Sequence, residues 1–245
     1  MHQDLSKNSY AQPFTFEGSR NHGVLVIHGF TATPGTVLPL GQAVAQDGHY
    51  VRGIHGTTIE DMQRTNWKDW YDAAFNAYDE MARICKKVSV VGLSMGGALT
   101  CLLAEHRPVH KAVPIAPALK ILQHGSRLAK YFWSLVPILP GRDKNYQDYL
   151  FDYDVCYHDT PVKNIEDLNH LALLAKRDLK KITCPLLVVK AGQDQSVHPD
   201  APKWIILQSS SVEKKLLVLP NSPHVCTLGA ERQLLFRKVA AFLRD

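Results

Sequence analysis

Short runs of Val, Ile and Leu recur along the chain. Each is bounded by turn-forming residues and separated from the next by a longer stretch. The runs are GVLVIHG (23–29), VSVVGL (88–93), KAVPIA (111–116), PLLVVKA (185–191) and KLLVLP (215–220). Continuous rather than alternating apolar runs suit parallel strands covered on both faces. Residues 66–86 carry Trp67, Trp70, Ala74, Tyr78 and Met81 at helical spacing. Residues 95–106 come directly after the serine that follows the second run, and 229–243 repeat the pattern with Leu234, Leu235, Val239, Phe242 and Leu243. Strands separated by helices predict right-handed crossovers, a mostly parallel sheet and an α/β fold.

Residues 117–165 break this rhythm. They hold no clean strand, yet carry over a third of the chain's aromatic residues in about a fifth of its length. An irregular insertion of that size is a functional lid or a disordered loop, and its aromatic content argues against disorder. The expected organisation is one domain, 1–245, with a lid inserted at 117–165.

Composition narrows the class without naming a chemistry. The 245 residues, 45% hydrophobic and 21% charged, are enough for a core that needs no disulfide or metal. The 28 Lys+Arg against 23 Asp+Glu leave a formal +5. The doublets at 86–87, 180–181 and 214–215 are dispersed, so the run of like charge that a nucleic-acid tail wants is missing. The cysteines, Cys85, Cys101, Cys156, Cys184 and Cys226, are odd in number and form no C-x-x-C pair. Neither a disulfide framework nor a zinc site is indicated, and core roles in a reducing compartment are expected. The opening MHQDLSKNSYAQPF lacks a signal-peptide core. No stretch approaches the ~18 apolar residues of a membrane helix. A cytoplasmic protein without nucleic-acid partners or membrane insertion is expected.

The chemistry begins where VSVVGL runs into SMGGAL. Gly92 and Gly96 flank Ser94 at minus two and plus two. A serine on a sharp strand-to-helix turn leaves no room for side chains at those positions. The strain exposes the hydroxyl above a helix N-terminus, where developing negative charge is favoured. The G-x-S-x-G pattern alone is weak, since roughly one chain in twenty of this length contains it by chance. The apolar strand before it and the Ala/Leu-rich helix after it make Ser94 a candidate nucleophile.

A serine hydroxyl needs a base, and in this architecture an acid and then a histidine follow the serine on loops at strand ends. AGQDQSV presents Asp194 after one strand, and NSPHV presents His224 after the next. Asp200 competes with Asp194, but HPDAPKW reads as a helix start that Asp200 would cap. His198 lies too close in sequence to Asp194 to come from a separate strand end. Two backbone donors would receive the oxyanion: the Met95 amide, next to the serine, and the Phe30 amide in IHGFTATPG. No H-E-x-x-H or similar spacing suggests a metal. Cys226, two residues past His224, is read as a core residue.

With HGFTATPG, GLSMGG, AGQDQSV and NSPHV in order, the chain resembles the α/β-hydrolases, most closely the bacterial carboxylesterase and monoacylglycerol-lipase group. The resemblance spans about residues 14–244. IHGTTIEDMQRTNWKDWYDAA resembles that group's segment usually built around G-H-G, with Ile54 in place of the first glycine. NIEDLNHLALLAKRDLKKITCPLLVV resembles the helix and strand leading to the acid, where Gln193 and Gln195 flank Asp194 instead of a second acid. The resemblance implies the α/β-hydrolase fold, with helices on both faces of the sheet. It implies a triad of Ser94, Asp194 and His224, oxyanion amides from Phe30 and Met95, and a cap over an acyl groove at 117–165. It also implies hydrolysis of short- to medium-chain acyl esters through an acyl-enzyme, with no cofactor. Thioester, amide, monoacylglycerol or feruloyl substrates suit the same groups. A ligand receptor on a hydrolase fold is the non-enzyme alternative.

Overall fold

The computed structural model of the protein describes residues 5–54, 59–122, 138–139, 146–157 and 159–244. Among these, the strands are β1 (Phe14–Phe16), β2 (Ser19–Ile27), β3 (His49–Gly53), β4 (Val88–Leu93), β5 (Ala112–Ile115), β6 (Ile138–Leu139), β7 (Thr160–Pro161), β8 (Leu186–Ala191) and β9 (Lys214–Leu219). Seven of them form one sheet in the order β1-β3-β2-β4-β5-β8-β9. All its pairings are parallel except β1 with β3. β6 and β7 form a separate antiparallel pair.

Each apolar run divides its residues between two cores. Leu25, Ile27, Val88, Val90, Leu186 and Val188 pack under the helices Trp67–Ile84, Met95–His106, Val162–Arg177 and Ala201–Gln208. Their neighbours Val24, Val26, Val91, Leu93, Leu187 and Val189 pack against the helices Leu38–Ala45 and Arg232–Leu243. Side chains alternate across a strand, so a strand covered on both faces must be apolar at every position. That is why the runs are continuous.

The helix Trp67–Ile84 shows how local sequence sets a boundary. Asn66 Oδ1 accepts from the Lys68 amide at 2.9 Å, and Asp69 Oδ2 accepts from the Asn66 amide at 2.9 Å. This capping box satisfies two donors that no helical carbonyl can reach. The helix buries Ala74, Phe75, Ala77, Tyr78 and Met81 and ends at Cys85, whose backbone is extended.

Two strands escape the periodicity. β1 is three residues long, and β3 carries Arg52 inside it. Each is too short or too mixed to read as an apolar run. β2 also begins earlier than its apolar run, at Ser19, with an irregular register before Gly23. Of the lid expected at 117–165, residues 123–137, 140–145 and 158 lie outside the described residues, as do 55–58 of the segment resembling G-H-G. The 117–165 stretch does contain β6 and β7, two residues each, where no strand was expected. No helix among the described residues is long and apolar enough to cross a membrane.

The topology singles out one place. From β2 the chain crosses to β3 on one side, then returns past β2 to reach β4 on the other. The loops after β2 and β4 therefore leave in opposite directions. The crevice outside the carboxyl ends at such a switch point is where open α/β sheets hold their ligands.

Candidate active site

Ser94 stands at that switch point, between the end of β4 and the helix Met95–His106. Its backbone has φ 59° and ψ −113°, a left-handed value that is strained for a residue with a side chain. The surroundings hold it there. The Ser94 amide donates to Ile115 O at 2.9 Å, and Ser94 O accepts from the amides of Ala98 and Ala118 at 3.1 and 3.0 Å. The flanking glycines meet a packing demand. A Cβ on Gly92 would run into the Gly96 carbonyl, and one on Gly96 would run into the Ile27 carbonyl of β2.

Three side chains from separate strand ends meet here. Ser94 Oγ lies 2.8 Å from His224 Nε2, and His224 Nδ1 lies 2.6 Å from Asp194 Oδ2. The other Asp194 oxygen accepts from the amides of Ser196 and Val197 at 2.8 and 3.1 Å. The Asp194 side chain is 6% exposed and that of His224 18%. A carboxylate so enclosed stays satisfied only because each oxygen has a donor.

The acid loop and the histidine loop are laced together. The Gln193 amide donates to Ser222 O at 2.9 Å, and its Nε2 donates to Pro220 O at 3.1 Å. A second acid at 193 would have no proton to donate there, which gives a physical reason for glutamine. Glu231 Oε2 accepts from the Asn221 amide at 2.9 Å and from Ser222 Oγ at 2.7 Å. Thr227 Oγ1 donates to Thr36 O at 2.6 Å, tying the histidine loop to the loop after β2. Sequence reasoning named none of Ser222, Thr227 and Glu231. Their work is loop support, and no periodicity marks it.

Of the expected oxyanion donors, Phe30 follows Gly29 and Met95 follows the serine. Gly29 backs onto it, since a Cβ there would sit 3.3 Å from Ser94 Cβ. Phe30 is the next residue, and its ring packs edge-on against Trp70 with centroids 5.6 Å apart. Met95 opens the helix, where an amide has no helical carbonyl to reach. Neither amide donates to another backbone group among the described residues.

The competing residues stand elsewhere. His198 stacks on Trp204, centroids 4.9 Å apart, and its Nδ1 accepts from the Asp200 amide at 3.2 Å. Asp200 occupies the N-cap position of the helix Ala201–Gln208, but its side chain makes no capping hydrogen bond. That part of the sequence reading is corrected: the position is right and the side-chain bond is absent. Cys226 is fully buried in the second core. Burial, with the Asp194 charge as a smaller contribution, pushes its thiol far above the usual range. Among the described residues no group of three or more His, Cys, Asp or Glu is arranged to hold a metal.

The family described as serine aminopeptidase, S33, matches residues 18–230. The chain belongs to this α/β-hydrolase family. The hydrolase is 35% identical to the thermostable monoacylglycerol lipase of Bacillus sp. (strain H-257), over 96% of its own length and 94% of that protein's. It is 24% identical to a carboxylesterase of Bacillus subtilis (strain 168), over 95% and 96% of the two chains. Among solved structures, it superposes with TM-score 0.90 and 31% identity, covering 99% of each chain, on one described with LipS and LipT, two metagenome-derived lipolytic enzymes. The fold class is therefore the α/β-hydrolase one expected from the sequence, and the enzyme is of the lipase and esterase type.

Proposed function

We propose that the hydrolase cleaves carboxylic esters of short to medium acyl chains, monoacylglycerols among them, through an acyl-enzyme. The observation that carries this reading is the unbroken hydrogen-bonded line from Asp194 through His224 to Ser94. Ser94 Oγ attacks the ester carbonyl while His224 Nε2 takes its proton. Asp194 holds the Nδ1 proton, fixing the tautomer and stabilising the imidazolium. The Phe30 and Met95 amides receive the charge that gathers on the carbonyl oxygen. As the tetrahedral intermediate collapses, His224 passes the proton to the departing alcohol. Water then attacks the acyl-serine, giving its proton to His224, and the acid leaves as Ser94 recovers its hydrogen.

The likeness to a monoacylglycerol lipase at 35% identity over nearly the full chain supports the substrate class. The test pairs a substrate panel with a covalent probe. p-Nitrophenyl esters of increasing chain length and monoacylglycerols are turned over, thioesters and feruloyl esters serving as controls. A fluorophosphonate labels the parent chain and leaves Ser94→Ala unlabelled. Labelling that survives Ser94→Ala would remove Ser94 as the nucleophile, and a labelled chain that turns over no ester would favour a receptor.

A further inference from the structure

The turn after β2 holds a shape its sequence does not favour. Thr31 has φ 56°, in the left-handed region where a β-branched residue is an outlier. Glycine or asparagine sits there more easily. The Ala32 amide closes the turn on Gly29 O at 3.3 Å, and positive φ at the third residue is what a type II turn requires.

One segment clamps this turn from outside. The Tyr157 amide donates to Thr31 O at 2.8 Å, Ala32 and Cys156 form an antiparallel bridge, and Thr33 Oγ1 donates to Val155 O at 2.6 Å. Thr31 Oγ1 also donates to Phe30 O at 2.7 Å. The Phe30 ring is seated separately on Trp70, whose indole N–H donates to Thr65 Oγ1 at 2.9 Å. Strained conformers persist only where surrounding contacts over-determine them, and they gather at sites whose geometry matters. Here the strained residue lies one position past Phe30 and two past Gly29, which backs onto Ser94.

We propose that Thr31 is a positioning residue for ester hydrolysis. Its left-handed turn, clamped by Val155–Tyr157, sets the Phe30 amide beside Ser94. The proposal rests on the reading of that amide as an oxyanion donor. A turn free to relax releases the Gly29–Phe30 peptide from its place against the serine, and the amide then loses more of its hold on the oxyanion than on the ground-state ester.

The experiment compares Thr31→Gly and Thr31→Asn with the parent on p-nitrophenyl butyrate and an alkyl trifluoromethyl ketone, which mimics the tetrahedral intermediate. Thr31→Gly removes the hydroxyl bond to the Phe30 carbonyl and, because glycine adopts either sign of φ with equal ease, lets the turn wander. Its kcat is expected to fall by about tenfold or more, short of the 10²- to 10³-fold of losing a donor outright. KM should stay within about twofold, and the ketone's inhibition constant should rise in step with the fall in kcat. Thr31→Asn, whose short polar side chain favours left-handed φ and can hydrogen-bond the local backbone in place of the lost hydroxyl, should recover most of that kcat. A Thr31→Gly chain with parental kcat and ketone affinity overturns the proposal. So does a rise in KM with unchanged kcat, which would mean that Thr31 contacts substrate. Fluorophosphonate labelling of the parent separates the two levels: if Ser94 is labelled and Thr31→Gly is indifferent, only this proposal fails. If the parent is not labelled at Ser94, the reading of the site fails and takes this one with it.

Discussion

The carboxylate of Asp194 and the ring of His224 meet at 2.6 Å, and the other carboxylate oxygen is fixed by the Ser196 and Val197 amides. This asymmetry makes Asp194→Asn informative. The two amides will hold the remaining oxygen, so the new NH₂ must face His224 Nδ1. The imidazole then has to carry its proton on Nε2, where it cannot accept from Ser94. The kcat is expected to fall by about 10⁴-fold with little change in melting temperature. Steady-state kinetics beside a thermal melt check this, and near-parental turnover would rule out the proposed role of Asp194.

Gly96 offers no space. A Cβ there collides with backbone carbonyls of Ile27 and His28, neither of which can swing aside as a side-chain tip would. Gly96→Ala is expected to cost on the order of 1–3 kcal/mol and to push β2 away from the helix that carries Ser94. Urea unfolding and ester turnover should both register the change.

Glu105 gives the protein a pH-dependent stability remote from the chemistry. Its side chain is wholly buried in the helix Met95–His106, and neither carboxyl oxygen has a hydrogen-bond partner among the described residues. Burial pushes its pKa from 4.5 up to about 8, and Asp178 adds to the shift while Lys181 and Arg177 oppose it. The folded state thus binds a proton that the unfolded chain releases. The stabilisation is complete below the unfolded value and is lost as pH rises to about 8. Urea melts at pH 5, 7 and 9 should show stability falling by a few kcal/mol at most across that window. Glu105→Gln, neutral throughout, should flatten the slope and be the more stable chain at pH 9.

Glu231 supports the histidine loop from behind. Glu231→Ala removes the acceptor for the Asn221 amide and for Ser222 Oγ, and Ser222 is fully buried. A loss of about 1–3 kcal/mol is expected. Turnover should fall by about tenfold as the loop carrying His224 loosens. Glu231→Gln, which keeps an acceptor oxygen, should recover much of both in the same melts and assays.

The elements that could be read from the sequence were those with a strong period. The runs at 88–93 and 185–191 became β4 and β8, and the helix after Ser94 spans 95–106 as its spacing predicts. β1 and β3 were not legible, because β3 carries a charged residue and β1 offers only three positions. The three candidates Ser94, Asp194 and His224 could be named because each follows an apolar strand at a loop that the fold leaves open. Ser222, Thr227 and Glu231 could not, since they support one another and the neighbouring loops through contacts that no apolar period marks.

By itself the sequence determined the α/β alternation, the position of the strained serine and the order of acid and histidine after it. These follow from local physics: apolar period, glycine where a Cβ has no room, and turn residues at strand ends. Only the tertiary structure decided that residues 94, 194 and 224 come within hydrogen-bonding distance, and that Thr31 is held at positive φ by residues 155–157. Such contacts depend on how strands far apart in the chain align in one sheet, and no pattern along a single segment encodes that alignment.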